Sequence, residues 1–190
     1  VRLVLGNEEK MNLPDHINGL EQEGRNQVLI PGIKRGSFQA PIIPKTGNGK
    51  DFDDSANAWE FRTRASLKIQ DGCDFMCSFC IIPFARGRSR YRDFNNLMEE
   101  ARLLNEEGVK EIVLTGVNIG TYRDQGKNLL DIIDSLHRLE GPERIRISSI
   151  EPTTVPEGIL ERMNDSQHKL VPFLHLPLQS GSDQILQNMK

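Results

Sequence analysis

From residue 64 to the end of the chain, short strand-like runs alternate with longer apolar stripes of helical spacing. Runs at residues 67–70, 112–114, 144–150 and 173–176 predict four strands. The continuous apolar run at residues 112–114 is typical of a strand that is covered on both faces. Strands that alternate with helices indicate βαβ units, a parallel sheet and right-handed crossovers. The sequence therefore predicts an α/β fold with about four β/α units, the last of them unfinished.

Capping residues and helix breakers bound the predicted helices. The first helix is predicted at residues 95–107, between a cap at Asp93 or Asn95 and Gly108. The second is predicted at residues 129–139, before Gly141-Pro142. Pro156 opens a short third helix, and Ser182-Asp183 caps the last one. A complete eight-unit barrel takes about 250 residues. We therefore expect part of a barrel in this chain.

The first 62 residues carry a weaker pattern. Residues 3–5 predict a strand without a partner, and Pro, Gly and Asn signals recur between residues 11 and 63. Trp59 and Phe61 are candidates for anchoring this stretch to the next domain, and the alternative is a simple packing role. We predict that residues 1–20 are the tail of a preceding domain, residues 21–62 a linker, and residues 63–190 the core domain.

Charge and hydropathy exclude some classes of function. The formal net charge is −3, so no global field attracts nucleic acid, and any RNA contact needs a local patch. No apolar run reaches 18 residues, and the first residues lack the pattern of a signal peptide. We expect neither a membrane nor DNA as a partner.

The chain has three cysteines, Cys73, Cys77 and Cys80, all within eight residues. An odd number does not make a disulfide framework, and structural zinc usually takes four ligands. A cubane 4Fe-4S cluster held by three thiolates leaves one iron open for a small molecule. A zinc site and unliganded buried thiols remain alternatives. Thiolates kept reduced for a cluster predict a cytoplasmic protein.

Small or polar residues follow every predicted strand. Because ligands bind beyond the carboxyl ends of parallel strands, these positions are candidates for a ligand site. They are Thr115, Gly116 and Asn118 after the second strand, Ser149 and Glu151 after the third, and His175 and Gln179 at the fourth. For His175, the alternative is a core histidine with its hydrogen bonds made inside the protein.

A dense basic loop follows the cysteines. It contains Arg86, Arg88, Arg90, Tyr91 and Arg92. Arginine binds phosphate in a bidentate manner, and tyrosine stacks on bases, so this loop is a candidate RNA contact. The alternatives are a solvated basic loop or a contact to a cofactor carboxylate.

The sequence resembles the methylthiotransferases of the radical S-adenosylmethionine (SAM) superfamily. The resemblance rests on the Cys-x3-Cys-x2-Cys spacing and on residues 62–65, 67–73, 80–87, 111–120, 144–152 and 175–182. It is strong over residues 60–190, and residues 6–10 look like the tail of that family's N-terminal domain. The closest branch acts on threonylcarbamoyladenosine in tRNA. Its near relatives act on isopentenyladenosine in tRNA or on an aspartate of a ribosomal protein.

The resemblance implies a partial (β/α)6 TIM-like barrel in which Cys73, Cys77 and Cys80 hold a 4Fe-4S cluster and its open iron binds SAM. Phe79 is then expected near the adenine, and the strand-end residues are expected to contact SAM or substrate. A second 4Fe-4S cluster belongs to the family's N-terminal domain, whose three cysteines are not among these residues.

The implied partners are the anticodon loop of tRNA and an electron donor such as flavodoxin or ferredoxin. The implied reaction places a methylthio group on carbon two of the modified adenosine. We expect that the chain is a fragment of the active enzyme and is inactive alone. A zinc-stabilised RNA-binding module without catalytic activity is the alternative from another class.

Overall fold

A computed structural model describes residues 2–6, 9–23, 26–32, 36–38, 40 and 63–189. The packing expected for Trp59 and Phe61 falls outside the described residues. No helix in these ranges is both long and apolar enough to cross a membrane.

The core is a parallel sheet of three strands in an α/β arrangement. Its strands are β4 (Arg64–Lys68), β7 (Glu111–Thr115) and β10 (Arg144–Ile147), and β7 lies between the other two. Lys68 is the register partner of Thr115, so the carboxyl ends of β4 and β7 lie side by side. The predicted parallel sheet is confirmed, although the first strand begins at Arg64 and the third ends at Ile147.

The predicted fourth strand at residues 173–176 is wrong. The chain there makes no ladder, and only an isolated bridge joins Leu170 to Ile145. Pro172 and Pro177 flank the segment, and proline has no N–H to donate to a sheet. The described core sheet therefore has three strands where the sequence predicted four.

Smaller elements surround this sheet. They are β1 (Leu3–Leu5), α1 (Leu13–Glu23), β2 (Gln27–Leu29), β3 (Ser37–Phe38), β5 (Gln70–Asp71), α2 (Ile82–Arg86), β6 (Arg90–Arg92), β8 (Arg123–Asp124) and β9 (Lys127–Asn128). Strand β1 pairs in parallel with β2, so the expectation of a strand without a partner is wrong. Helix α1 supplies the crossover between them, and its apolar pattern was too weak to predict it.

Four helices lie in the core domain: α3 (Phe94–Glu106), α4 (Leu129–His137), α5 (Ile159–Asn164) and α6 (Asp183–Met189). The predicted cap of α3 is confirmed, since the Asp93 carboxylate accepts a hydrogen bond from the Asn96 amide at 2.8 Å. Helix α4 ends at His137, before the predicted stop at Gly141. Helix α5 begins after Gly158 and not at Pro156, because Gly158 has a left-handed backbone, with φ of 87°.

Alternate residues of the core strands face opposite layers. Leu67, Ile112, Leu114, Ile145 and Ile147 are completely buried in the hydrophobic core with α3 and α4. The residues between them, including Arg64, Ser66 and Lys68, lie on the other face, which we call the inner face.

A buried carboxylate organises the amino end of the inner face. Glu111 accepts contacts from Arg64 at 2.9 Å, Arg146 at 2.8 Å and Arg144 at 3.1 Å. Burial alone raises the pKa of Glu111, but the hydrogen bonds from Arg146 and Arg144 lower that pKa overall. One carboxylate therefore joins all three core strands at this end.

Substitution of Glu111 tests the contribution of this network to stability. We expect Glu111→Gln to lower the free energy of unfolding by about 1–3 kcal/mol at neutral pH, measured by urea denaturation. Because the folded-state pKa of Glu111 is lowered, its contribution is present above the unfolded pKa and is lost as the pH falls through the folded value. The difference between wild type and variant should therefore shrink at low pH.

Glu143→Gln is the matched control. Glu143 pairs with Lys110 at 3.3 Å on the surface, and both side chains are about half exposed. We expect its loss to cost less than about 1 kcal/mol. Equal losses from the two substitutions, or a Glu111→Gln effect that does not vary with pH, would contradict this account.

Candidate cluster and cofactor site

Two buried polar residues, Gln70 and Asp71, continue the chain beyond β4 at the carboxyl edge of the sheet. The Gln70 side-chain oxygen accepts hydrogen bonds from the amides of Val117 and Asn118, both at 2.8 Å. Its side-chain nitrogen donates to the Gly72 carbonyl at 2.7 Å. One carboxamide therefore links the start of the cysteine loop to the loop that follows β7.

The cysteine loop leaves the sheet through a tight turn at Gly72. Gly72 has a φ of 73°, and a Cβ there would lie 2.2 Å from the Arg88 carbonyl oxygen. The Cys73 amide donates to the Gly87 carbonyl at 3.1 Å. The loop is thus packed against the backbone of the basic loop, and only glycine fits at its first position.

All three cysteines are free and half-buried. Burial is the main cause that raises the pKa of the Cys73 thiol, and the nearby Cys77 and Cys80 raise it further. Within the described residues, no three His, Cys, Asp or Glu side chains are grouped so as to hold a metal ion.

The donor set fits an iron–sulfur cluster in its chemistry. Three soft thiolates in one loop suit such a cluster. A raised thiol pKa disfavours the free thiolate, and a bound cationic centre would reverse that preference. Phe79 lies between two of the cysteines with its side chain more than half exposed, so its predicted contact with adenine stays a prediction.

The Asp71 carboxylate pairs with several cations at the carboxyl edge of the sheet. Its carboxylate contacts Lys68 and Arg86 at 2.9 Å each and Arg90 at 3.4 Å. Burial raises the pKa of Asp71, but the hydrogen bonds from Lys68 and Arg86 outweigh it and lower this pKa to about 2. The charged form of Asp71 is therefore held in place by residues from three separate segments.

The prediction of RNA contact is wrong for Arg90 and Arg92. Arg92 is completely buried and bonded to Asn96 and Glu100, and Arg90 is nine-tenths buried beside Asp71. A buried charge is stable only when it is paired inside the protein, and these two arginines are used in that way.

The remaining candidates of the basic loop differ in exposure. The side chains of Arg86 and Arg88 are each about half exposed, and Arg88 donates to the Asp74 carbonyl at 3.1 Å. Tyr91 is half-buried, with its ring edge-on to Tyr122 at 6.0 Å between centroids. Only Arg86 and Arg88 of this loop therefore offer exposed cations to a partner.

The residues predicted after the second strand divide into two groups. Thr115 and Gly116 line an open cavity of about 560 Å³. Asn118 is buried, and its side-chain oxygen accepts a hydrogen bond from the Thr154 hydroxyl at 3.0 Å. The Asn118 side-chain nitrogen has no hydrogen-bond partner among the described residues. A buried polar group of this kind needs an acceptor, which a ligand would supply.

The site residues predicted after the third strand and at the fourth are brought together by a backbone hydrogen bond. The Ile150 amide donates to the His175 carbonyl at 3.2 Å, which brings Ser149 and Glu151 beside His175. Burial raises the pKa of Glu151. His175 is exposed, so the alternative of a core histidine is wrong. Gln179 is exposed and has a left-handed backbone, with φ of 63°.

Sequence reasoning missed several residues of this site. The cavity is lined by Lys10, Lys68, Gln70, Ile82, Arg86, Thr115, Gly116 and Val117. Gln70 had a signal, because it is an uncharged polar residue at the end of a predicted strand. Lys10 had none, because it is 58 residues from Lys68 in the sequence and only the fold brings them together.

The chain combines a parallel α/β sheet with three cysteines in the loop after the first core strand. This combination is typical of one class of proteins. The family profile described as Radical SAM superfamily matches residues 67–190, and the chain belongs to this superfamily. Membership implies a 4Fe-4S cluster and SAM as cofactors.

Individual relatives indicate which branch of the superfamily this chain is similar to. The chain is 46% identical over 195 residues to the threonylcarbamoyladenosine tRNA methylthiotransferase MtaB of Bacillus subtilis, and 36% identical over 191 residues to that of Thermotoga maritima. Both alignments cover 100% of this chain and 40% of the relative. A tRNA-2-methylthio-N(6)-dimethylallyladenosine synthase of Cereibacter sphaeroides is 43% identical over 125 residues, which are 66% of this chain and 28% of that protein.

Substitution of Gly72 tests whether its close approach to the basic loop is needed. Gly72 and Gly126 have nearly the same φ, 73° and 74°, but a Cβ at Gly126 would meet nothing within 4 Å. We expect Gly126→Ala to cost about 1–2 kcal/mol in unfolding free energy from backbone strain alone. Gly72→Ala should cost clearly more and should also lower the iron bound after anaerobic reconstitution. Equal stability and equal iron content in the two variants would contradict the geometry.

Proposed function

We propose that the protein carrying this chain is a tRNA methylthiotransferase that modifies carbon two of N6-threonylcarbamoyladenosine beside the anticodon. The observation that carries the proposal is the loop of Cys73, Cys77 and Cys80 at the carboxyl edge of a radical SAM sheet. Similarity over the whole chain to two proteins named for threonylcarbamoyladenosine supports the choice of substrate. The chain spans about 40% of those relatives, so the activity is proposed for the whole protein.

Cys73, Cys77 and Cys80 would hold the cluster. When bound, the cluster supplies the electron that cleaves SAM to methionine and a 5′-deoxyadenosyl radical, which abstracts hydrogen from the substrate. The protein's own residues would bind the cofactors and the substrate and orient them. Gly72 and Gln70 fix the cysteine loop against the loop after β7.

The remaining site residues would hold the ligands of the reaction. Thr115, Gly116 and the side-chain amide of Asn118 are proposed contacts to the SAM amino group. Ser149, Glu151, His175 and Gln179 are proposed contacts to SAM or substrate. Phe79 is proposed to pack on the adenine, and Arg86 and Arg88 to contact the RNA backbone.

Several features of the whole protein follow from the same proposal. A second 4Fe-4S cluster would lie in an N-terminal domain, and flavodoxin or ferredoxin would deliver electrons in the cytoplasm. Residues 1–20, 21–62 and 63–190 are proposed as the tail of that domain, a linker and the radical SAM core of a (β/α)6 barrel.

A second candidate substrate is the dimethylallyl-modified adenosine of tRNA, because a relative named for it is 43% identical over part of the chain. Both candidates predict a methylthio-adenosine in tRNA, and mass spectrometry of nucleosides separates them. An aspartate of a ribosomal protein as substrate would leave the methylthio-adenosines of tRNA unchanged in a strain lacking the gene. The zinc-stabilised RNA-binding module would be detected by metal analysis of the purified protein.

The test uses a strain lacking the gene, complemented with wild type, Cys77→Ala or Ser78→Ala. Ser78 is exposed in the same loop and is a matched control. We expect 2-methylthio-N6-threonylcarbamoyladenosine to disappear in the deletion strain and with Cys77→Ala, and to return with wild type and Ser78→Ala. Iron analysis of the purified proteins should show a lower iron content in Cys77→Ala only, because the cluster of this loop is lost and the second cluster is kept.

An unchanged set of methylthio-adenosines in the deletion strain would overturn the tRNA function. Loss of only the dimethylallyl product would assign the second substrate. Purified protein with zinc and no iron or sulfide would favour the non-catalytic module.

A further inference from the structure

Exposed apolar side chains are concentrated in the cysteine loop and at the start of α2. Five large ones lie within residues 75–84, namely Phe75, Met76, Phe79, Ile81 and Phe84. Exposed apolar residues that stand singly are common in soluble proteins, whereas a concentration of them indicates a binding surface. Phe79 is already proposed to pack on the adenine of SAM, so the others still lack a proposed ligand.

Helix α2 divides its side chains between two faces. Ile82 and Arg86 are four residues apart and line the cavity at the carboxyl edge. Ile81 and Phe84 are stacked one turn apart on a different face, since the Phe84 amide donates to the Ile81 carbonyl at 3.0 Å. Both side chains are 70% exposed, and the helix buries only Pro83. We call Ile81 and Phe84 the outer face of α2, and this face is separate from the cavity.

Phe84 has the exposed ring that the sequence predicted at Tyr91. The Tyr91 ring packs against the hydrophobic core and lies edge-on to Tyr122, with 6.0 Å between the ring centroids. Proteins that bind unpaired RNA stack its bases on exposed aromatic rings. Of the two aromatic residues, Phe84 is therefore the one whose ring a base can reach.

The charge of this segment suits the phosphates of an RNA strand. No acidic residue occurs between Asp74 and Asp93 in the sequence. The side chain of Arg88 is about half exposed, and its Nη1 donates to the Asp74 carbonyl at 3.1 Å and lies 4.0 Å from the Asp74 carboxylate. An exposed ion pair of this length contributes little stability. The Nε and Nη2 groups of Arg88 take part in neither contact, so a phosphate can bind them.

Phe84 is also close to the cluster loop along the chain. It follows Cys80 by four residues, so their Cα atoms are at most about 14 Å apart, and the helical turn between them shortens this distance. The modified adenosine must reach the cofactors that this loop would hold. The nucleotides on either side of that adenosine must therefore pass near α2.

We propose that the outer face of α2 stacks an unpaired base next to the modified adenosine in the anticodon loop, with Phe84 as the stacking ring and Arg88 as a contact to the adjoining phosphate. The inference rests on the proposed function and adds how the RNA is held beside the cofactors. Stacking uses the face of the base and tolerates any sequence. The face therefore selects an unpaired strand and not a particular modification. A protein surface is the other possible occupant, and the acid-free, arginine-containing segment favours RNA over it.

The test measures the affinity of the full-length, reconstituted protein for three anticodon stem-loop RNAs by fluorescence anisotropy. One is intact and carries N6-threonylcarbamoyladenosine, and the other two are abasic at the nucleotide before or after it. We expect wild type to bind one of the abasic RNAs about tenfold more weakly than the intact RNA. This loss equals about 1.4 kcal/mol, within the range for a base stacked on an aromatic side chain. Phe84→Ala should bind the intact RNA about tenfold more weakly and should not distinguish it from that abasic RNA.

Further variants separate stacking from a general apolar contact. Phe84→Tyr keeps a flat ring and should retain the affinity for the intact RNA, whereas Phe84→Leu keeps an apolar side chain without a ring and should lose most of it. Leu160→Ala is the matched control, since Leu160 is 60% exposed on α5, away from the cysteine loop and the basic loop, and its loss should leave the affinity unchanged. SAM affinity and iron content should be unchanged in Phe84→Ala, because Phe84 is not among the described residues that line the cavity.

Each alternative has its own result. Equal affinities of Phe84→Ala and wild type for the intact RNA overturn the inference, and methylthio product from wild type then leaves the proposed function standing. Full affinity in Phe84→Leu assigns the face to a plain apolar contact and overturns the stacking. A smaller oligomer of Phe84→Ala in analytical ultracentrifugation, with its RNA affinity unchanged, assigns the face to a second copy of the protein and also overturns the inference. Neither RNA binding nor product from wild type overturns the proposed function, and the inference fails with it.

Discussion

The side-chain amide of Gln70 is the contact on which the arrangement of the site depends. Its oxygen accepts hydrogen bonds from two backbone amides of the loop after β7, and its nitrogen donates one to the Gly72 carbonyl at the start of the cysteine loop. Gln70 is completely buried, so each of these backbone groups would lack a partner if the side chain were apolar. An unpaired buried group costs about 1–3 kcal/mol, so the position demands a carboxamide. The two loops that approach the cofactors are thereby fixed to each other before any cofactor binds.

The inner face of the sheet uses buried carboxylates at both ends for different purposes. At the amino end, Glu111 joins three strands through arginines that also reach solvent. At the carboxyl end, Asp71 gathers Lys68, Arg86 and Arg90 beside a cavity. The first arrangement stabilises the sheet. The second also fixes the basic loop, because Arg86 and Arg90 come from that loop.

Local signals in the sequence predicted local features well. The cap at Asp93, the strand at residues 112–114 and the three-cysteine loop could all be read from neighbouring residues. Features that depend on how side chains pack in the folded protein could not. Arg92 is buried because Glu100 and Asn96 on α3 pair with it.

The strand predicted at residues 173–176 was also wrong. It has the apolar composition of a strand, but prolines flank it and only an isolated bridge at Leu170 connects that part of the chain to the sheet. The charged cavity was also beyond sequence reasoning, since Lys10, Lys68 and Arg86 converge only after folding. Sequence patterns thus identified the three-cysteine loop, whereas the cavity at the carboxyl edge required the tertiary structure.

The central claim is that the three cysteines hold a cluster whose fourth iron is open to SAM at the carboxyl edge of the sheet. The most direct test is low-temperature electron paramagnetic resonance of the reduced, reconstituted full-length protein, with SAM labelled with ¹⁷O in its carboxylate. The account predicts that SAM changes the signal of the cluster held by Cys73, Cys77 and Cys80 and that the ¹⁷O nucleus couples to it. A cluster signal that is unaffected by SAM, without ¹⁷O coupling, would contradict the claim.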